Sequence, residues 1–318
     1  MRALAKTRHW PATPEPGSAS TASAYDRAGD NYLAYADGDA RQLYAFTGHY
    51  AYGDRRLWSV LDARLAARRA SGATSISILD AGCGPGTWLR RLVVRAGALG
   101  FTEITARGFD IAQEQVLRAR RLGADLAGRP GVALSFDVAD LTETLPEADS
   151  SVDLTLCLYC VLNHVPAIAL TDVVAELGRV TRGHFVSTVR AIGSAPTIYV
   201  EGVDQARQFR QDHQSGRVFV EMRDGRRIAF DSHLFGAAEL RRLAEHHFDV
   251  EGLRGLDLFH GRFAPDPRWN PATLKDSDGF RSELARLEER YGADPAFIDH
   301  ATHLLLVARA RGAGRRGH

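Results

Sequence analysis

Apolar positions along this chain follow two alternating rhythms. Short β-rich runs cover Ile76 to Asp80, Ile104 to Asp110, Val132 to Phe136, Asp153 to Tyr159 and His184 to Val189. Between them, Thr87 to Ala96, Gln113 to Gly123 and Ala167 to Val180 repeat apolar residues every three or four positions, the period of a half-buried helix. Strand and helix in turn predict a parallel sheet with helices on both faces. Past Val189 the rhythm changes, because Val218 to Met222 and Arg226 to Phe230 flank Asp224-Gly225, the turn pair of an antiparallel hairpin. A helix over Ala237 to His247, a strand over Val250 to Leu258, a helix around Gly279 to Tyr291 and an apolar strand from His303 to Ala308 complete the pattern. The expected architecture is therefore α/β: a doubly wound, mostly parallel seven-stranded sheet, with a small hairpin or helical insertion capping the carboxyl ends of its strands.

The same pattern divides the chain. Residues 1–23, rich in Pro, Ala, Ser and Thr and without an apolar period, are expected to form a disordered leader, and 24–75 a helical cap segment. Residues 76–190 make the first half of the domain, 191–235 the insertion, 236–309 the second half and 310–318 a loose basic tail. Composition narrows the function. The 40 basic and 39 acidic residues leave a net charge of +1, so no global field draws the protein to nucleic acid or to an anionic membrane. No apolar run approaches the roughly eighteen residues of a membrane span, and Arg2, Lys6, Arg8 and His9 interrupt any signal core. Three cysteines are too few for a disulfide framework, and a cytoplasmic protein, monomeric or homodimeric, is expected.

The first strand ends in Asp80-Ala81-Gly82-Cys83-Gly84-Pro85-Gly86, and Thr87 starts a helix. Glycine at every second position lets backbone amides and a helix N-terminus come close to a ligand, which suits a nucleoside cofactor of any kind. Asp110, at the end of the second strand, suits a ribose, since a carboxylate accepts from two hydroxyls at once; it is equally suited to cap the next helix.

The arrangement Asp80-x-Gly82-x-Gly84-x-Gly86, with Asp110 and the run Leu145-Pro146-Glu147-Ala148-Asp149-Ser150-Ser151-Val152-Asp153-Leu154, resembles the class I S-adenosylmethionine-dependent methyltransferases. The resemblance implies that Asp80, Gly82, Gly84 and Gly86 hold the methionine part of the cofactor. It also implies that Asp110 takes the ribose, Ile111 lies on the adenine, and Asp140 and Leu141 meet the adenine edge. Asp137 competes with Asp140 for that place. Tyr25 and Tyr32, in a segment similar to the family's Y-D-x-x-A-x-x-Y, are expected to cover the sulfonium or to pack as a helix face.

Methyl transfer belongs at the carboxyl end of the fourth strand, where Cys157 to His164 is expected to border the reacting group. His164 is the candidate base and Tyr159 the candidate orienting residue, with the alternative that both are structural. The spacing Cys157-x-x-Cys160 is rejected as a metal or redox pair, because no second pair exists. Arg190 and Arg262 are candidate clamps for an anionic acceptor group. The expected reaction takes the methyl group of S-adenosylmethionine to a nitrogen, oxygen or carbon of a small metabolite and leaves S-adenosylhomocysteine. The alternatives are a macromolecular acceptor, a nicotinamide-dependent oxidoreductase and a non-catalytic relative.

Overall fold

Val, Ile, Leu and Phe stand where the chain extends, and the strands they form are β1 (Ser75–Ala81), β2 (Glu103–Asp110), β3 (Val132–Val138), β4 (Val152–Cys157), β5 (Thr181–Arg190), β6 (Ala206–Asp212), β7 (Arg217–Met222), β8 (Arg227–Asp231), β9 (Phe248–Leu256) and β10 (His303–Ala310). They come from a computed structural model that describes residues 21–23, 25–26, 43–46, 50–194, 206–260 and 278–311. Seven strands form one sheet in the order β3-β2-β1-β4-β5-β10-β9. The first five pair in parallel, and β10 runs antiparallel to both of its neighbours. Chain direction across the sheet reverses between β1 and β4, so a crevice opens beyond their carboxyl ends.

Alternation along each strand sends side chains to two cores. Ile76 and Ile78 of β1 join one cluster with Leu57, Leu61 and Leu65 of α1 (Ala51–Ala70), Leu89 and Leu92 of α2 (Thr87–Ala98) and Val116 and Ala119 of α3 (Gln113–Ala127). Leu79 and Ala81, one residue out of phase, face the other cluster. There they meet Val173, Val174 and Leu177 of α4 (Leu170–Val180) and Leu240 of α5 (Ala237–Glu245). The sheet is thus covered on both faces, and α6 (Asp278–Tyr291) precedes β10.

Three departures from the expected pattern matter for the site. The fourth strand stops at Cys157 rather than Tyr159, because Tyr159 and Cys160 take left-handed backbone angles, φ +51° and +73°. The insertion is a three-stranded sheet, β6-β7-β8, rather than a hairpin alone; β6, mostly exposed and carrying Arg207, Gln208, Arg210 and Gln211, has too little apolar alternation to be read as a strand. Residues 21–23 and 25–26 are helical and Thr21 is buried, so the end of the segment expected to be leader is folded.

Gly86 shows what the glycine loop owes to packing. It precedes α2 at φ +76°, and a Cβ there would stand 2.7 Å from the ring of Phe136. Gly86→Ala is expected to cost about 2–3 kcal/mol, seen as a lower denaturant midpoint. Gly97→Ala, in the same helix with nothing within 4 Å of a Cβ, is the control and is expected to be neutral or slightly stabilising.

Candidate active site

The loop between β1 and α2 is fastened to the end of β2. The amides of Gly82 and Cys83 both donate to the Phe109 carbonyl at 2.8 Å, and the Gly84 amide donates to Asp110 Oδ2 at 2.8 Å. Gly82 is held at φ +76° with the Val161 side chain against it, where a Cβ would lie 2.3 Å from a Val161 methyl carbon. Gly82 and Gly86 are therefore demanded by neighbouring side chains of the protein itself, and not only by the approach of a ligand.

Beyond this loop lies an open-mouthed cavity. Its wall brings together six of the residues singled out from the sequence, Tyr25, Gly82, Asp110, Ile111, Asp140 and Leu141, and both candidates for chemistry, Tyr159 and His164. Val161, within the segment expected to border the reacting group, lines it too, and so do Thr21, Phe109, Val165 and Pro166, which were not singled out as site residues.

Asp110 uses its two oxygens for the amides of Gly84 and Ala112, at 2.8 and 2.9 Å, which leaves about half of its lone-pair capacity for a ligand. The N-cap of α3 is Ala112, so Asp110 braces that helix start without being its cap. The two later acids have different surroundings. Asp137 is engaged by Arg107 at 3.0 Å, whereas Asp140 stands on the cavity wall, its Oδ1 accepting from Thr142 N and Oγ1.

Four expected cofactor residues do not line the cavity. Cys157 is fully buried in the apolar core, Gly84 turns its amide to Asp110, Gly86 packs on Phe136, and Asp80 is 2% exposed behind the loop. Burial and the nearby Asp110 carboxylate push the Asp80 carboxyl up to about 7, and burial raises Asp110 as well. Tyr32 and Arg262 lie outside the described residues.

The turn after β4 carries the two candidates for chemistry. Tyr159 is pinned by its amide, which donates to Thr188 Oγ1 at 2.7 Å, by Trp88 stacked at 6.0 Å and by the edge of His303 at 5.7 Å. Its hydroxyl donates to Asp54 of α1. Two consecutive left-handed residues without glycine are costly, and such backbone concentrates at functional sites. His164 places Nδ1 2.7 Å from the Asp231 carbonyl; a carbonyl only accepts, so Nδ1 carries the ring proton and Nε2 presents a lone pair with no partner. Burial lowers the imidazole pKa to about 4, which keeps the ring neutral.

The β6-β7-β8 sheet reaches this turn from the far side of the chain. Asp231 ends β8, Phe230 lies 5.9 Å from the His164 ring, and Tyr25 meets the same ring edge-on at 5.3 Å. Asn163 rivets the two parts together: its carbonyl accepts from His233 N at 2.7 Å, its Oδ1 accepts from Arg190 N at 2.9 Å, and its Nδ2 donates to the His233 carbonyl. Arg190, a candidate clamp, is buried and donates to the Tyr50 hydroxyl at 3.0 Å; it does not line the cavity.

On the other side of Tyr159, just past β9, Asp257 is 2% exposed at φ +57°, and neither carboxylate oxygen has a well-formed hydrogen bond. Burial, with Glu288 and Asp54 nearby, pushes its pKa up to about 8. Because the folded value exceeds the unfolded one, the folded state holds the extra proton, and stability is lost as pH rises from about 4 through 8. Asp257→Asn removes that ionisation and suits the left-handed backbone. It is expected to raise Tm by several degrees at pH 9 and to change it little at pH 5, measured by thermal unfolding across pH.

Fold and site together define a doubly wound α/β protein with a cavity at the switch point of its sheet. Residues 78–184 of the chain match the model of a family described as a methyltransferase domain. Among solved structures it is similar to the [4+2]-cyclase SpnF, with 18% identity and a TM-score of 0.50, covering 93% of this chain and 98% of that one. It also matches the magnesium protoporphyrin IX methyltransferase ChlM from Synechocystis PCC 6803, at 14% identity, TM-score 0.46, and 94% and 100% coverage. A third match is the CcbJ methyltransferase from Streptomyces caelestis, at 15% identity, TM-score 0.46, and 79% and 89% coverage. The likeness to SpnF establishes the fold and leaves the acceptor open. No curated protein matches the chain in sequence. Among the described residues no helix is long and apolar enough to cross a membrane.

Proposed function

We propose that this protein transfers a methyl group from S-adenosylmethionine to a small molecule held in the cavity between the glycine loop and the turn after β4. The observation that supports the reading is that Asp110, Ile111, Asp140, Leu141, Tyr159 and His164 line one cavity, with Asp231 of the small sheet held by His164. A reaction chamber built this way favours a small acceptor over a macromolecule, and the net charge of +1 favours neither nucleic acid nor a membrane.

The residues present fit the cofactor. Asp110 has lone pairs left for ribose hydroxyls, Ile111 and Leu141 offer apolar surface to the adenine, and Asp140 offers an acceptor to its amino group. Gly82 would offer the methionine part backbone and Tyr25 an aromatic ring, both on the cavity lining. Gly84, Gly86 and Asp80 act from behind, by holding the loop in shape. When bound, the cofactor supplies a methyl carbon that forms a bond to the acceptor atom while the sulfur keeps the electron pair of the broken S–C bond and the acceptor proton is released. His164 and Tyr159 hold the acceptor in line, and that orientation supplies much of the acceleration. The three cysteines are buried thiols, which suits a reducing cytoplasm.

The test is release of S-adenosylhomocysteine when purified protein, cofactor and a small-metabolite extract are combined, with the methylated product identified by mass spectrometry. Cofactor binding without any released product would overturn the reading.

A further inference from the structure

Asn163, in the turn after β4, is 1% exposed, and both ends of its side-chain amide are engaged. Oδ1 accepts from Arg190 N at 2.9 Å, which fixes which end of the amide is oxygen. Nδ2 donates to two carbonyls, that of Arg190 at 3.3 Å and that of His233. The Asn163 carbonyl accepts from His233 N at 2.7 Å, and one residue on, His164 Nδ1 donates to the Asp231 carbonyl at 2.7 Å. Residues 231–233, where β8 ends, are therefore bonded to this turn. Just beyond them the continuation of β5 takes hold, with Phe235 N donating to Arg190 O at 3.0 Å and Ile192 N to Phe235 O at 2.9 Å. One side chain thus ties its own turn to segments 27 and 70 positions away.

These ties matter because the small sheet brings an apolar cluster of its own. Val218, Val220, Met222 and Phe230 pack together, apart from the two cores of the main sheet. The sheet can shift without opening either core, but it cannot leave the turn without breaking the bonds at Asn163 and His164. Nor does the turn need the Asn163 side chain to close on itself. Its own backbone does that, Asn163 N donating to Cys160 O and His164 N to Val161 O, each at 3.0 Å.

We infer that Asn163 is a positioning residue: it joins the β6-β7-β8 sheet to the turn after β4 so that the two move as one body, and the sheet thereby sets where His164 stands. Val161, Val165 and Pro166 of the same turn line the cavity with His164, so a displaced sheet reshapes that wall. The consequence for turnover rests on the methyl-transfer reading; the mechanical coupling does not.

Amide hydrogen exchange of the wild-type protein across low denaturant concentrations gives the first test. The His233 amide, bonded to Asn163, and the His164 amide, bonded to Val161, are expected to open together, with the same denaturant dependence. A His233 amide that exchanges freely while the turn stays protected overturns the coupling.

The second test reads the His164 ring by nitrogen-15 resonance, its signals identified by their loss in His164→Gln. Burial, with the Arg190 guanidinium adding to it, lowers the imidazole to about 4, so the wild-type ring is expected to hold one neutral tautomer down to about pH 5. In Asn163→Ala the loosened sheet admits water to the ring, and its titration is expected to move up toward the ordinary value near 6.5. Asn163→Leu, which is close in volume and makes none of the bonds, is expected to do the same and serves if the alanine variant does not fold. Leu61→Ala, in the other core, is the control: it is expected to lower Tm and leave His164 where it was. Movement in the control as well, or in none of the variants, overturns the inference.

With an acceptor identified from the metabolite extract, Asn163→Ala is expected to lower kcat/KM for that acceptor about thirtyfold and to leave the cofactor Kd unchanged. An unchanged kcat/KM overturns the link to turnover. Should no methylated product form although cofactor binds, the methyl-transfer reading falls, and the exchange and ring measurements still decide the coupling.

Discussion

Asp110→Ala is expected to weaken S-adenosylmethionine binding about a thousandfold, measured by calorimetry on the purified protein. The carboxylate has two duties, and the variant loses both. It holds the glycine loop to the end of β2 through the Gly84 amide and steadies the start of α3 through the Ala112 amide, at 2.8 and 2.9 Å. It also presents its remaining lone pairs on the cavity wall. Hydrogen bonds to a charged group contribute about 1.5–3 kcal/mol each, so losing two toward a ligand reaches the roughly 4 kcal/mol that a thousandfold change represents. Asp110→Asn separates the duties. One oxygen remains, but the amide nitrogen sets a donor against a backbone N–H, and an intermediate loss of about thirtyfold is expected. An unchanged Kd in the alanine variant would remove Asp110 from the cofactor site.

His164→Ala is expected to lower kcat/KM for the acceptor about a hundredfold, while the Kd of the cofactor stays within a factor of two or three. The split distinguishes a group that orients the acceptor from one that shapes the whole cavity. Its pH dependence follows from burial. An imidazole lowered to about 4 is already neutral at pH 6, so wild-type kcat/KM is expected to lack the acid limb near 6.5 that an exposed histidine produces. The same shift acts on stability. The folded pKa lies below the unfolded one, so His164 leaves stability intact above about 6.5 and subtracts from it as pH falls toward 4, because the unfolded chain takes up the proton first. A kcat/KM profile with a limb at 6.5 that disappears in the alanine variant would show an exposed, titrating His164 instead.

Much of the sheet was legible because its signals are local. The strand from Ser75 to Ala81 is fixed by alternation that sends Ile76 and Ile78 to one core and Leu79 and Ala81 to the other, and the loop glycines follow it directly. The choice of Asp140 over Asp137 agrees with the cavity wall, since Asp137 is taken by Arg107, thirty residues earlier in the chain. The early end of the fourth strand was not legible. Leu158, Tyr159 and Cys160 look extended in sequence, and their turn is imposed by Thr188 and the rings around Tyr159. Cys157 failed as a cavity residue for the same reason: its face of the strand points into the core.

By itself, then, the sequence determined the doubly wound sheet and the loop from Asp80 to Gly86, because each of these depends on residues close together in the chain. Only the tertiary structure decided how the side chains of the turn after β4 are held. That depends on protons shared between Tyr159 and Asp54 across 105 positions and between His164 and Asp231 across 67. Direction of a hydrogen bond is set by the partner that packing brings near, and no spacing along the chain encodes it.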